Sequence, residues 1–239
     1  MKRLLLPAVI LSLVAITASV RAEEKAQNKP PEGFTALFNG KDLSGWKGLV
    51  GNPKSRKEMK PEDLAKAQEA ADKKAHEHWK AEDGVLVFDG KGDSLCTAKD
   101  YGDFEFYCDW KIKPKGDSGI YLRGIPQVQI WDPSDEAQRP NGADKGSGSL
   151  WNNQKNPRFP DVKADNPIGE WNTFHIKMVG DKVTIHLNGK KVVNDVTLEN
   201  YWERDKPCYP TGQIELQNHG NTLYFRNIYI KELPSKSAN

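Results

Sequence analysis

From Trp79 onward the chain is organised in short runs where apolar and polar residues alternate: Val85 to Phe88, Asp103 to Lys113, Gly119 to Arg123, Val128 to Trp131, Trp171 to Val179, Lys182 to Leu187, Lys190 to Val193, Gly212 to Asn218 and Thr222 to Leu233. A strand sends successive side chains to opposite faces, so a period of two marks β-structure. Gly180-Asp181 and Asn188-Gly189 separate neighbouring runs by residues that close tight hairpins. Ahead of these runs, Pro61-Glu62-Asp63 followed by Ala, Lys, Gln and Glu as far as His78 predicts one helix, opened by a proline and two acids. With few large apolar residues, it is expected to be a surface insertion. His76 and His78, two apart on a helix, do not face one another and predict no metal site. The pattern as a whole predicts an all-β fold, a jelly-roll sandwich of two antiparallel sheets with one inserted surface helix.

Three of the runs carry hydrogen-bonding side chains at every second position. As strands, they send Ile120, Leu122, Val128, Ile130, Ile214 and Leu216 into a core, while Tyr121, Arg123, Gln127, Gln129, Trp131, Glu215, Gln217 and His219 share the opposite face. Arg, Gln, Glu and His offer multiply bonding groups that match sugar hydroxyls, and Tyr and Trp offer flat bodies on which a pyranose can lie. The plainer reading is the solvated side of an antiparallel sheet, where polar alternation is the default. Solvated faces are rich in Lys, Thr and Ser, and this one is nearly free of Lys, so a carbohydrate-binding surface is the reading taken forward. Residues 133 to 167, broken by Pro140, Gly146, Gly148, Pro157 and Pro160, form a long irregular excursion of the kind that is functional or disordered. Trp151, Asn152 and Asn153 within it suggest a rim over the polar face.

The first 22 residues read as a cleavable secretory leader: Met1-Lys2-Arg3, an apolar run, then Ala18-Ser19-Val20-Arg21-Ala22, with cleavage near Ala22. The run is shorter than the ~20 residues a membrane span needs, and no Cys follows it, so no membrane anchor is expected and the protein is expected to be secreted or periplasmic. Removing Lys2, Arg3 and Arg21 from 35 basic residues leaves 32 against 33 acidic ones, so the net charge of +2 belongs largely to the leader. A nearly neutral mature chain has no electrostatic footprint for nucleic acid. Residues 23 to 32 read as a disordered spacer, 33 to 233 as a single domain and 234 to 239 as a tail. Cys96, Cys108 and Cys208 have no metal-ligand spacing, Cys108 alternates with core positions, and a Cys96 to Cys208 disulfide is permitted by the compartment without being implied.

The strings Leu37-Phe38-Asn39-Gly40-Lys41-Asp42-Leu43-Ser44-Gly45-Trp46, Gly116-Asp117-Ser118-Gly119-Ile120-Tyr121-Leu122-Arg123-Gly124, Gln127-Val128-Gln129-Ile130-Trp131-Asp132, Glu215-Leu216-Gln217-Asn218-His219-Gly220 and Phe225-Arg226-Asn227-Ile228 resemble, in order, the 3-keto-disaccharide hydrolase family of secreted bacterial proteins. The resemblance runs from about Gly33 to Leu233 and implies a concanavalin A-like sandwich. It also implies cleavage of a glycoside already oxidised to a ketone at carbon 3. The ketone acidifies the proton on carbon 2, one base removes it, the glycosidic oxygen leaves with help from an acid, and water adds to complete a net hydrolysis. A positioned base contributes about 10² to 10⁴ in rate. The chain has no nucleotide-binding glycine fingerprint, so a separate sugar 3-dehydrogenase is the expected supplier of substrate. Retaining glucanases on similar sandwiches use closely spaced acids on one strand, whereas the counterpart strand here reads Gln127, Gln129 and Trp131.

Within that chemistry, Glu215 is the first candidate for the base, raised in pKa by burial beneath a ligand, or else a buried partner of Arg123. His219, with an ordinary pKa closest to neutrality, is a base, an acid on the leaving oxygen, or a turn histidine beside Gly220. Asp132 is an acid, a metal ligand, an orienter of His219, or the turn starter before Pro133. Arg123 is the candidate to hold the 3-keto oxygen as it becomes an enolate, a role compatible with a salt bridge to Glu215 or Asp132. Gln127, Gln129 and Gln217 would fix hydroxyls, Tyr121 and Trp131 would stack on the ring, and Trp151 would close the rim. Arg226 and Asn227 read as structural, and Asp117 and Ser118 as shaping the turn before Gly119. No cofactor is required by the sequence, and a divalent metal held by Glu215, His219 and Asp132 is compatible with it. A lectin-like carbohydrate-binding module without turnover is the rival reading.

Overall fold

A computed structural model describes residues 27–234. In chain order its strands are β1 (Thr35–Ala36), β2 (Trp46–Gly48), β3 (Trp79–Glu82), β4 (Val85–Phe88), β5 (Leu95–Thr97), β6 (Phe104–Ile112), β7 (Asp117–Leu122), β8 (Ile125–Trp131), β9 (Asn172–Val179), β10 (Lys182–Leu187), β11 (Lys190–Thr197), β12 (Glu215–Leu216) and β13 (Leu223–Glu232). Helices α1 (Pro53–Glu58) and α2 (Pro61–His78) lie between β2 and β3. An eight-stranded sheet runs β11-β10-β9-β6-β13-β4-β3, with β1 also beside β13, and a five-stranded sheet runs β2-β5-β12-β7-β8. Every pairing between these strands is antiparallel. The result is the all-β jelly-roll sandwich that the period-two pattern predicts.

The core lies between the sheets and is built by alternation. On β6, Phe104, Phe106, Cys108, Trp110 and Ile112 are buried while the residues between them are not. Ile120, Leu122, Val128, Ile130 and Leu216 meet them from the five-stranded sheet, all fully buried. Each such side chain contributes roughly 1.5–3 kcal/mol by leaving water. The β10–β11 hairpin turns on Asn188 (φ +51°) and Gly189 (φ +79°), the left-handed pair that matches strand twist.

The helical insertion is more firmly seated than its polar composition suggests. Gln68 donates to the Gly48 carbonyl and Gly48 N donates to Asp72, so α2 is tied to the edge strand β2. A side chain at Gly48 would collide with the Ala71 carbonyl, so the two elements approach at backbone distance. Helix α1 was not legible as a helix: six residues without a buried face give no periodic signal, and only the Asn52/Ser55 capping box marks it.

One further expectation changes, and two open readings are resolved. Residues 27–32, read as the end of a disordered spacer, lie against the sandwich, where Asn28 exchanges hydrogen bonds with Asn227 and donates to Gly84 O. Cys96, Cys108 and Cys208 are all free and buried, so the permitted Cys96 to Cys208 disulfide is not formed. Arg226 and Asn227 bond Asp109 on the eight-stranded sheet, consistent with structural roles. The leader, residues 23–26 and the tail beyond Pro234 lie outside the described residues. Among the described residues no helix is long and apolar enough to cross a membrane.

Candidate functional site

The polar face of β12, β7 and β8 is not a solvated surface. Every residue of β8 is buried although it ends the sheet order, because the following excursion folds back along it. Gly148 N donates to Gln129 O, Gln129 N to Ser149 O and Trp151 N to Gln127 O, so the loop supplies the partners an edge strand lacks. Strand register orders the face in rows. Glu215 lies opposite Tyr121, Gly119 opposite Gln129, and Asp117 opposite Trp131, while Gln217 N donates to Gly119 O.

Above these rows lies a cavity of about 500 Å³, a size typical of small-molecule sites. Its floor is Asp117, Tyr121, Gln127, Gln129, Trp131, Gln217 and His219. One wall comes from the long excursion (Gln138, Asn141, Trp151 and Asn152), and the other from Tyr201 and Trp202 in the segment before β12. Gly119 stands mid-floor, where a side chain would press on Gln127 and Gln217, so its lack of one leaves space over the middle row.

The aromatic walls are fixed from behind. The Trp131 indole donates to Gly146 O and meets Trp151 edge to face, and the Trp202 indole donates to Gly124 O. The Glu199 carboxylate accepts from the backbone amides of residues 154, 155 and 156 and from the Asn156 side chain. Arg204 donates to Asn152 O, joining the two walls behind the cavity.

One titratable pair faces the cavity. Asp117 lies 3.6 Å from His219 Nδ1, and it accepts from Gln129 Nε2 at 2.7 Å. Burial raises the Asp117 pKa above the ordinary carboxylate value, against the opposing pull of His219 and Gln129. Beside them, Gln217 Nε2 donates to the Tyr121 hydroxyl at 3.3 Å, and the buried Gln217 Oε1 has no partner. Burial, then the nearby Glu215, pushes the Tyr121 phenol well above its usual range.

Of the residues read from the sequence, Tyr121, Gln127, Gln129, Trp131, Trp151, Gln217 and His219 line the cavity, and three do not. Arg123 is a correction: with Gly124 it forms the turn between β7 and β8, at φ +56° and +72°, so the strand's alternation stops at Leu122. Its buried guanidinium bonds Gly102 O, Tyr209 O and Asp103 instead, and it pairs with neither Glu215 nor Asp132. Asp132 is a second: it follows the outward-facing Trp131, and its carboxylate accepts from Lys115 N, Ser134 N and the Ser134 hydroxyl. It is the turn starter, and Asp117 is the acid beside His219. Glu215 does lie on the polar face, but it is buried where Gly124 and Pro53 close over it, with Oε1 unpartnered and its pKa pushed up to about 8 by desolvation, against a lowering pull from Arg56. Glu215, His219 and Asp132 are therefore not gathered as a metal set, and no three His, Cys, Asp or Glu side chains converge as one among the described residues.

Sequence reading took Asp117 for a turn residue, a correction since it is the first residue of β7 and lines the cavity, and it passed over Gln138, Asn141, Tyr201 and Trp202. Carrying the period of two back from Tyr121 through Gly119 reaches Asp117, so that signal was present. The adjacent aromatics Tyr201 and Trp202 between strands gave a weaker one, and Gln138 and Asn141 gave none.

Residues 33–231 match the family described as the 3-keto-alpha-glucoside-1,2-lyase-like domain. A Bacteroides thetaiotaomicron protein named 3-keto-disaccharide hydrolase is 24% identical over 275 aligned residues, covering 92% of this chain and 86% of the relative. A crystal structure from Parabacteroides distasonis ATCC 8503, provisionally described as a glycosyl hydrolase, superposes with a TM-score of 0.64 at 27% identity, over 87% of this chain and 99% of that one. A second so described from the same organism gives 0.62 at 26% identity, covering 85% of each chain.

Proposed function

The chain belongs to the 3-keto-alpha-glucoside-1,2-lyase-like domain family, and on that premise we propose that it cleaves glycosides already oxidised to a ketone at carbon 3. The observation that carries the reading is the buried polar floor, which brings Asp117 and His219 to a sugar-sized cavity between aromatic walls. His219 removes the proton from carbon 2, with Asp117 orienting the imidazole and stabilising its charged form. The electron pair passes through the enolate, the bond from carbon 1 to the glycosidic oxygen breaks, and water adds to the unsaturated sugar. The amides of Gln127, Gln138, Asn141, Asn152 and Gln217 take hydroxyls and the ketone oxygen, in place of the Arg123 expected for that oxygen. Trp131, Trp151, Tyr201 and Trp202 supply apolar faces to the ring.

An ordinary glycosidase needs two carboxylates flanking the bond, and Asp117 is the one carboxylate among the lining residues. That composition favours elimination, in which a single base suffices. The same reading makes a separate sugar 3-dehydrogenase the source of substrate, and the leader-like first 22 residues support action in the periplasm or outside the cell. Incubation of purified protein with a 3-keto glucoside and with its unoxidised parent tests the activity. Free alcohol is expected from the oxidised compound alone, and equal cleavage of both would overturn elimination.

A further inference from the structure

Elimination needs a second proton transfer, because the oxygen leaving carbon 1 departs as an alkoxide unless a proton meets it. The base cannot provide that proton at the same moment, since it is receiving one from carbon 2. A donor that stands apart from the Asp117–His219 pair lets the base keep that proton until it returns to carbon 2.

Tyr121 meets that requirement. Tyr121 lines the cavity, and the hydrogen bond its hydroxyl makes with Gln217 is one in which its oxygen accepts the amide proton. The phenolic hydrogen is thus left to point elsewhere. The Gln217 amide that bonds the hydroxyl lies against Gly119, mid-floor, where the missing side chain leaves space. Tyr121 and Asp117 are four residues apart on β7, an even spacing that puts both on the cavity face, so donor and base occupy separate places along the floor. Burial, then the neighbouring Glu215, raises the phenol above its usual pKa and so favours its protonated form.

We infer that the Tyr121 hydroxyl is the proton donor to the departing glycosidic oxygen, with Gln217 as its positioning residue. The inference rests on the elimination reading above. His219 takes the carbon 2 proton, the C–H electron pair becomes the carbon 1–carbon 2 double bond by way of the enolate, and the carbon 1–oxygen pair leaves on an oxygen that takes the Tyr121 proton. Water then adds to carbon 1 and gives its proton to the phenolate, while His219 returns its proton to carbon 2. Both groups end in their starting states, and nothing is oxidised or reduced.

The test compares an alkyl 3-keto glucoside, whose alkoxide needs a proton, with the 4-nitrophenyl 3-keto glucoside, whose phenolate does not. Tyr121→Phe is expected to lower kcat on the alkyl substrate about 10²–10⁴-fold, the usual contribution of a positioned acid, and on the nitrophenyl substrate less than about tenfold. Equal losses on both substrates, or none on either, would overturn the inference, and retained nitrophenyl cleavage shows that the variant folds. Should the variant not fold, wild type carries the same contrast. A donor predicts a solvent deuterium isotope effect on alkyl cleavage that is absent with nitrophenyl, and equal effects overturn it. Wild type inert toward both 3-keto compounds would remove the underlying reading and this inference with it.

Discussion

At the scale of single residues, His219 and Glu215 exchange the importance their positions in the sequence suggest. His219 is about half exposed to the cavity beside Asp117, whereas Glu215 is enclosed under Gly124 and Pro53. His219→Ala is expected to lower kcat by about two to four orders of magnitude, while Glu215→Gln keeps turnover near wild type; the reverse pattern in steady-state kinetics would restore Glu215 as the base. Glu215 predicts a stability effect instead. Its folded pKa of about 8 lies above the ordinary 4.5, so its contribution is fully present below about pH 4.5 and is lost as pH rises through 8. The urea midpoint of wild type should fall more between pH 5 and pH 9 than that of Glu215→Gln, and parallel curves would refute this. Alternation made Tyr121, Gln127, Gln129, Trp131 and Gln217 legible because burial of one strand face enforces it. It failed at Arg123 because a left-handed turn residue no longer obeys the strand period, whereas Asp132 was named against it, since the residue after an outward Trp131 turns away.

At the scale of elements, the cavity depends on two loops that would otherwise move independently. Glu199 ties the excursion to the segment carrying Tyr201 and Trp202 by accepting several amides at once. Burial works to raise its pKa, and the amide donors outweigh that and hold it below the ordinary value. Hydrogen bonds to a charged group contribute roughly 1.5–3 kcal/mol each. Glu199→Gln should loosen both walls, raising KM several-fold with a smaller change in kcat, since wall contacts serve substrate and transition state alike. An unchanged KM would show that the walls hold without the clamp. A depressed folded pKa adds stability above the ordinary value that is lost as pH falls through the folded one, so the variant should also be less sensitive to acid than wild type. None of this was readable beforehand, because the partners are backbone amides about 45 residues distant and leave no pattern in the side chains.

At the scale of the whole molecule, the fold was legible because the longer strands and the two-sheet core follow from a local period, while strands of two to four residues such as β1, β2, β3 and β5 are too short to show it, and the site required long-range closure of loops that have none. Size accounts for a second property. A domain of about 200 residues buries some 70% of the surface its unfolded chain exposes, so it does not need the cross-links on which small secreted domains rely. The three cysteines fit that account: all are free and buried. Burial pushes the Cys96 and Cys208 thiols up to about 12 and Cys108 well above its usual value, which keeps the reactive thiolate scarce. If core burial alone sustains the protein, its thermal transition should be the same with and without a reducing agent. Thiol titration of protein purified under oxidising conditions should find three reactive groups only after unfolding. A transition lowered by reductant, together with one thiol titrating instead of three, would show that two of the cysteines pair after all.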